Sequence, residues 1–246
     1  MDPWRDRPLH WEWWRGRGGF CLMSHRSQRA LLFDIDGTLA DTDALHVEAF
    51  NHVFEPRGHV FDHARAATEL LGFSNASISE RFLPHEPPER QTAIMGEKET
   101  MFRKLAAGKV RPVPGLMALL AIADRAEIPM VAVTNAPRQN AEILLAGLGI
   151  MERFRAIVIG DELPHPKPHP LPYQEGLRAV DAVADRSVAF EDSRSGIRSA
   201  SSAGIATVGM RTSLSHVDLV QAGARLTAAS FDDPDLMRWL AATMEW

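Results

Sequence analysis

Five short, largely apolar runs, at residues 30–33, 128–133, 156–159, 187–190 and 205–208, alternate with stretches of helical spacing along this chain. The first, Ala-Leu-Leu-Phe, has no polar residue, as a strand buried on both faces of a parallel sheet requires. Leu116, Leu119, Leu120 and Ala123 form one helical stripe, and Ala141, Leu144, Leu145 and Leu148 form a second that Gly149 closes. Short apolar strands alternating with helices predict an α/β fold built on a doubly wound parallel sheet. In such a sheet the ligand lies outside the carboxyl ends of the strands, near the point where strand order reverses.

Residues 43–110 interrupt the alternation. Leu45, Ala49 and Val53, and then residues 92–105, carry helical patterns with no buried strand among them. Pro84, Pro87 and Pro88 punctuate the stretch, and Pro112 and Pro114 end it. The expected organisation is a small α-helical domain at 43–110 inserted into an α/β core made of 29–42 and 111–246. Residues 1–28 are expected to be a disordered extension. Four of the chain's six tryptophans (Trp4, Trp11, Trp13 and Trp14) fall there beside the run 16–19, and Met23 is expected to be the natural initiator.

The totals exclude several functions. Lys and Arg number 27 against 32 Asp and Glu, a formal charge of -5, which gives no footprint for nucleic acid or an anionic membrane. Apolar runs such as 116–123 fall far short of the roughly 20 residues that span a bilayer. Cys21 is the only cysteine and forms no internal disulfide, which fits a reducing compartment. A cytoplasmic protein is expected, monomer or homodimer, with a small molecule as its partner.

Four polar clusters follow four of the apolar runs: Asp34-Ile35-Asp36-Gly37-Thr38, Thr134-Asn135, Lys167 between two prolines, and Glu191-Asp192-Ser193. Taken singly, an Asp-Gly at a strand end is a turn and a Thr-Asn pair is a helix cap. The Asp-x-Asp-Gly-Thr string is rarer, at about one in a thousand chains of this length if each residue type has ~5% frequency. Together the clusters bring Asp34, Asp36, Glu191 and Asp192 to one sheet edge. Such crowding is unfavourable unless protons or a cation neutralise it, and oxygen-rich carboxylate sites suit magnesium.

These residues resemble the four motifs of the haloacid dehalogenase superfamily, with Asp34 to Thr38 as the first, Thr134 the second, Lys167 the third and Glu191-Asp192 the fourth. The resemblance covers nearly everything from Arg29 onward. It implies a phosphoryl-transfer enzyme with Asp34 as nucleophile, forming an aspartyl phosphate, and Asp36 as general acid and base. It further implies that Mg2+ is held by Asp34, the Asp36 carbonyl and Asp192, with Glu191 direct or through water. Thr38, Thr134 and Asn135 would bind phosphate, and Lys167 would balance charge. An aspartate at position 36 favours phosphorus over carbon–halogen chemistry, because halide needs no leaving-group acid.

Asp34 and Thr134 stand 100 positions apart, whereas Thr134 and Lys167 are separated by 33. The first gap accommodates a helical cap, as in the phosphoglycolate phosphatase and β-phosphoglucomutase branch, and the second leaves no room for a larger one. Leu71-Gly72-Phe73-Ser74-Asn75 is similar to that branch's substrate-specificity loop, which makes Ser74 and Asn75 candidates for substrate contact. His46 and Lys98 match substrate-contacting positions. The expected activity is hydrolysis of small phosphorylated metabolites, sugar or polyol phosphates. The alternatives are a β-phosphoglucomutase-like mutase and a phosphoglycolate phosphatase. The loop lacks the Arg or Lys with which a mutase grips a second phosphate, which favours the phosphatase. A signalling receiver domain shares the acidic pocket but has neither the Asp-x-Asp-Gly-Thr string nor an insert of this size.

Overall fold

The computed structural model describes residues 28–245. The expectations for the tryptophan-rich first residues and for Met23 lie outside them. Six strands form one sheet: β1 (Leu31–Phe33), β2 (Met130–Thr134), β3 (Phe154–Ile159), β4 (Val188–Glu191), β5 (Ala206–Met210) and β6 (Leu226–Ala228). Every pairing is parallel, and the order is β3-β2-β1-β4-β5-β6. The order reverses between β1 and β4, and this is where an open α/β sheet offers its crevice. All residues of β1, β2 and β4 are buried, whereas the edge strand β3 is partly exposed along its middle.

Alternation along β1 feeds two cores. Leu31 and Phe33 face one, where the Phe33 ring stacks on Phe190 at 4.8 Å. Leu32 faces the other, with Val131, Val133 and Tyr173. Helices α5 (Leu116–Arg125), α6 (Arg138–Gly147), α7 (Leu171–Ala179), α8 (Arg194–Ser202), α9 (His216–Ala222) and α10 (Pro234–Met244) surround the sheet; the earlier helices, α1 to α4, form the insert. The sixth strand was not foreseen from the sequence. Leu-Thr-Ala at a sheet edge is short and only half-buried, so it leaves no apolar run to read.

Between β1 and β2 the chain forms α1 (Asp43–Phe54), α2 (His63–Glu69), α3 (Asn75–Phe82) and α4 (Pro88–Ala106). It leaves and returns side by side. Asp41 N donates to Arg111 O at 3.2 Å, and Val113 N donates to Leu39 O at 3.0 Å. The helices bury Phe50, Phe54, Phe61, Phe82 and Ile94 in a cluster that also takes in Ile197 and Leu219 from the α8–α9 side. No helix among the described residues is long and apolar enough to cross a membrane.

Candidate active site

Register brings the acidic residues together. Phe33 pairs with Phe190, so the next residues, Asp34 and Glu191, emerge at the same level of adjacent strands. Asp34 N donates to Phe190 O at 3.0 Å. The side chains of Asp34, Glu191 and Asp192 each bring an oxygen within 4.8 Å of the others, and all three residues are buried. They could hold a metal ion.

Lys167 reaches this cluster from the loop before α7. Its ammonium donates to Asp34 Oδ1 at 2.6 Å, Glu191 Oε1 at 2.6 Å and Val133 O at 2.7 Å, which uses all three protons. Glu191 Oε1 also accepts from Tyr173 Oη at 2.6 Å. A β-carbon at Gly196 would overlap the Glu191 carboxyl, so α8 approaches Glu191 closely only because it carries glycine there. Tyr173 is the chain's one tyrosine. That scarcity was the only signal that could have drawn attention to it.

One lysine does not balance three carboxylates. Burial pushes the Asp34 carboxyl well up against the pull of Lys167, with Glu191 and Asp36 adding to the rise. Burial and the charges of Asp43, Asp34 and Glu191 raise Asp192 in the same way. Ser213 Oγ lies 2.8 Å from Asp192 Oδ2 and also against Asp43, and its one proton serves one carboxylate at a time. Asp43 lies one turn before His46, and burial raises it too. Sequence reading missed Asp43 and Ser213, because only the fold brings the start of the helix at Asp43–Phe54 and the segment after β5 together.

Asp36 behaves in the opposite way. Burial would raise it, but His46 and Thr42 outweigh that and hold it below the ordinary carboxylate range. Thr42 Oγ1 and His46 Nε2 both meet Asp36 Oδ1 at 2.9 Å, leaving Oδ2 without either. Lys98 Nζ lies 3.1 Å from His46 Nδ1. An ammonium can only donate, so Nδ1 accepts and Nε2 carries the proton that faces Asp36. The imidazole stacks on Phe102 at 3.9 Å. His46 and Lys98 therefore belong to a buried chain that ends on Asp36.

The remaining candidates divide. Thr134 is buried and its Oγ1 accepts from Ala136 N at 3.0 Å, which leaves its own proton to donate. Asn135 has its side chain committed: it donates to Lys167 O and Gly72 O and accepts from Lys167 N. Thr38 is fully buried and directs its hydroxyl to Asp192 Oδ1 at 3.4 Å, away from the cavity. Ser74 caps α3 through Ser77 N and does not line the cavity, whereas Asn75 does and donates to Glu99 Oε1 at 2.9 Å. Glu99 completes the wall on the insert's side. No specific role was expected for it, because its partners come from three separate elements.

A family model for haloacid dehalogenase-like hydrolases matches residues 31–210. CbbY of Cereibacter sphaeroides is 33% identical over 186 residues, 72% of this chain and 81% of that protein. The phosphorylated carbohydrates phosphatase of Thermotoga maritima is 31% identical over 186 residues, 72% of this chain and 82% of its own length. The solved structure of a CbbY mutant from Rhodobacter sphaeroides, in complex with xylulose-(1,5)bisphosphate, superposes with a TM-score of 0.72. It is 33% identical and covers 83% of this chain and 95% of that one.

Proposed function

The chain belongs to the haloacid dehalogenase-like hydrolases, and from that premise we propose that it is a magnesium-dependent phosphatase of small phosphorylated metabolites, sugar or polyol phosphates. One observation carries the reading: three buried carboxylates share an edge with one lysine, while a fourth, Asp36, is wired separately through His46.

The donor set fits a hard divalent cation. Asp34 and Asp192 are pushed up by burial and by each other, and a bound cation relieves that crowding. Asp34, Asp192 and the Asp36 carbonyl would hold magnesium, with Glu191 direct or through water. When bound, it supplies charge neutralisation for the phosphoryl oxygens.

The chain's own groups carry the rest. An Asp34 carboxylate oxygen attacks phosphorus, and the bond to the leaving alcohol breaks. Asp36 gives that alcohol its proton. Water then attacks the aspartyl phosphate, Asp36 takes the water's proton, and Asp34 is restored with release of inorganic phosphate. For the first step Asp36 must hold a proton against the pull of His46 and Thr42. The negative charge of the arriving phosphate opposes that pull. The Thr134 hydroxyl and the Asn135 main-chain amide orient phosphoryl oxygens, and Lys167 fixes Asp34.

The cavity between sheet edge and insert has a volume of about 60 Å³. A sugar phosphate enters only when the insert swings away, and closure over it excludes bulk water. Bulky protein substrates do not fit this arrangement. The experiment is phosphate release over a panel of phosphometabolites, with magnesium and with chelator. Asp34→Asn should lower turnover by about 10⁴-fold or more while the fold melts normally. Full magnesium-dependent activity in that variant would refute the mechanism.

A further inference from the structure

The cavity has two lysines on its wall, Lys167 and Lys98, and both are engaged. Lys167 is committed to Asp34 and Glu191. Lys98 lies deep in the insert, 4.2 Å from the centre of the Phe50 ring, with its ammonium 3.0 Å from Glu99 Oε1. Among the described residues no arginine lines the space.

Glu99 is anchored from several directions. Oε1 accepts from Asn75 at 2.9 Å and from Lys98, and Oε2 accepts from Asn140 Nδ2 of α6 at 2.6 Å. Arg103 holds the other end of that amide, donating to Asn140 Oδ1 at 3.1 Å. Burial alone would raise the Glu99 carboxyl, but Lys98, His46 and these donors outweigh it and keep the group ionised. Lys98 and Glu99 therefore pair in the wall formed by the insert, which leaves no cation free on that side of the cavity among the described residues. A substrate's second anionic group would lose its water in a space of low dielectric, and no unengaged cation would compensate for it. A distal hydroxyl carries no charge and incurs no such penalty.

Building on the phosphatase reading, we infer that Glu99 is a specificity-determining residue of this pocket. It restricts the enzyme to monophosphates of uncharged polyhydroxylated alcohols and rejects bisphosphates and phosphorylated carboxylic acids. The chain thereby differs from the CbbY relative whose structure holds xylulose-(1,5)bisphosphate. Phosphoglycolate, whose leaving alcohol carries a carboxylate, falls among the rejected class.

Three probes test this, all with magnesium: sorbitol 6-phosphate, 6-phosphogluconate, which exchanges the terminal hydroxymethyl for a carboxylate, and fructose 1,6-bisphosphate. In the wild type kcat/KM for the neutral probe should exceed that for either doubly anionic one by about tenfold or more. Glu99→Gln removes the charge and releases Lys98, so both effects should shrink the ratio to about threefold or less. Using a ratio within one protein cancels any overall loss from the disturbed Lys98. Equal turnover of all three probes by the wild type would overturn the inference even if the variant fails to fold, and so would an unchanged ratio in a folded variant. p-Nitrophenyl phosphate separates the two levels. If it is hydrolysed while selectivity is absent, only the assignment to Glu99 falls. Silence on every phosphate, this one included, would overturn the phosphatase reading and the selectivity with it.

Discussion

The carboxylates at the sheet edge and those facing the insert titrate in opposite directions, although burial opposes ionisation in both. Asp34 and Asp192 are pushed up, because burial and their neighbours' charges exceed what Lys167 returns. Asp36 and Glu99 are held down, because His46, Lys98 and several donors exceed the cost of burial. The sheet edge thus carries a charge deficit that an added cation fills, whereas the insert neutralises itself. A metal site and a selectivity wall can then stand within one cavity without competing for the same ion.

The largest effect that could break this contrast is on stability. In the metal-free protein the raised carboxyls of Asp34 and Asp192 favour the protonated folded form. Stability should therefore fall as pH climbs above the ordinary carboxylate range and through the raised values of these two groups. The lowered groups, Asp36 and Glu99, act only below that window, where their stabilisation is lost as they protonate. Magnesium at about 100 times its Kd should add ~2.7 kcal/mol, or about 5–10 °C in Tm for a chain of this size, and flatten the pH dependence. Asp192→Asn should melt higher than wild type without metal at neutral pH and lose the magnesium shift. A full shift in that variant would place the cation elsewhere.

Next in size is the chain that reaches Asp36. His46→Ala removes a donor to Asp36, the stack on Phe102 and the acceptor for Lys98. It should reduce kcat by about 30-fold, ~2 kcal/mol, within the range of general acid–base catalysis. Released from His46, Asp36 moves up, so the limb of the pH–rate profile that reports its base form should shift to higher pH. A pure loss of kcat with an unmoved profile would make His46 a packing residue only.

Which of these groups can be read in the sequence follows from how each is positioned. Asp34, Thr134 and Glu191-Asp192 stand where an apolar run stops, and a strand end fixes a side chain at the crevice whatever surrounds it. They were legible for that reason. His46 and Lys98 were legible as candidates on helix faces, but their burial and mutual contact span 52 positions and appear only in the fold. Glu99, Tyr173 and Asp43 were not legible, since each acts through partners from other elements. Thr38 and Ser74 were read as substrate contacts, and in the fold their hydroxyls lie against Asp192 and the first turn of α3. A hydroxyl's direction depends on its local turn, which residue type alone does not determine.

The smallest effect sharpens the contrast from the insert's side. Glu99 belongs to α4 of the insert and Asn140 to α6 of the core, so their 2.6 Å bond crosses the line along which the insert must open. Gly72 makes the companion crossing, its carbonyl accepting from Asn135 and Ser195. Asn140→Ala deletes one crossing and leaves Glu99 its Lys98 and Asn75 partners, so Lys98 stays engaged. The loss of one hydrogen bond to a charged group is worth about 1.5–3 kcal/mol at most, and water admitted on opening recovers part of it. The expected result is a rise in KM of about threefold, ~0.7 kcal/mol, with kcat little changed and the preference for neutral over anionic probes intact. If Asn140→Ala erased that preference as fully as Glu99→Gln, selectivity would depend on how tightly the insert closes, and the Glu99–Lys98 pair would not be its source.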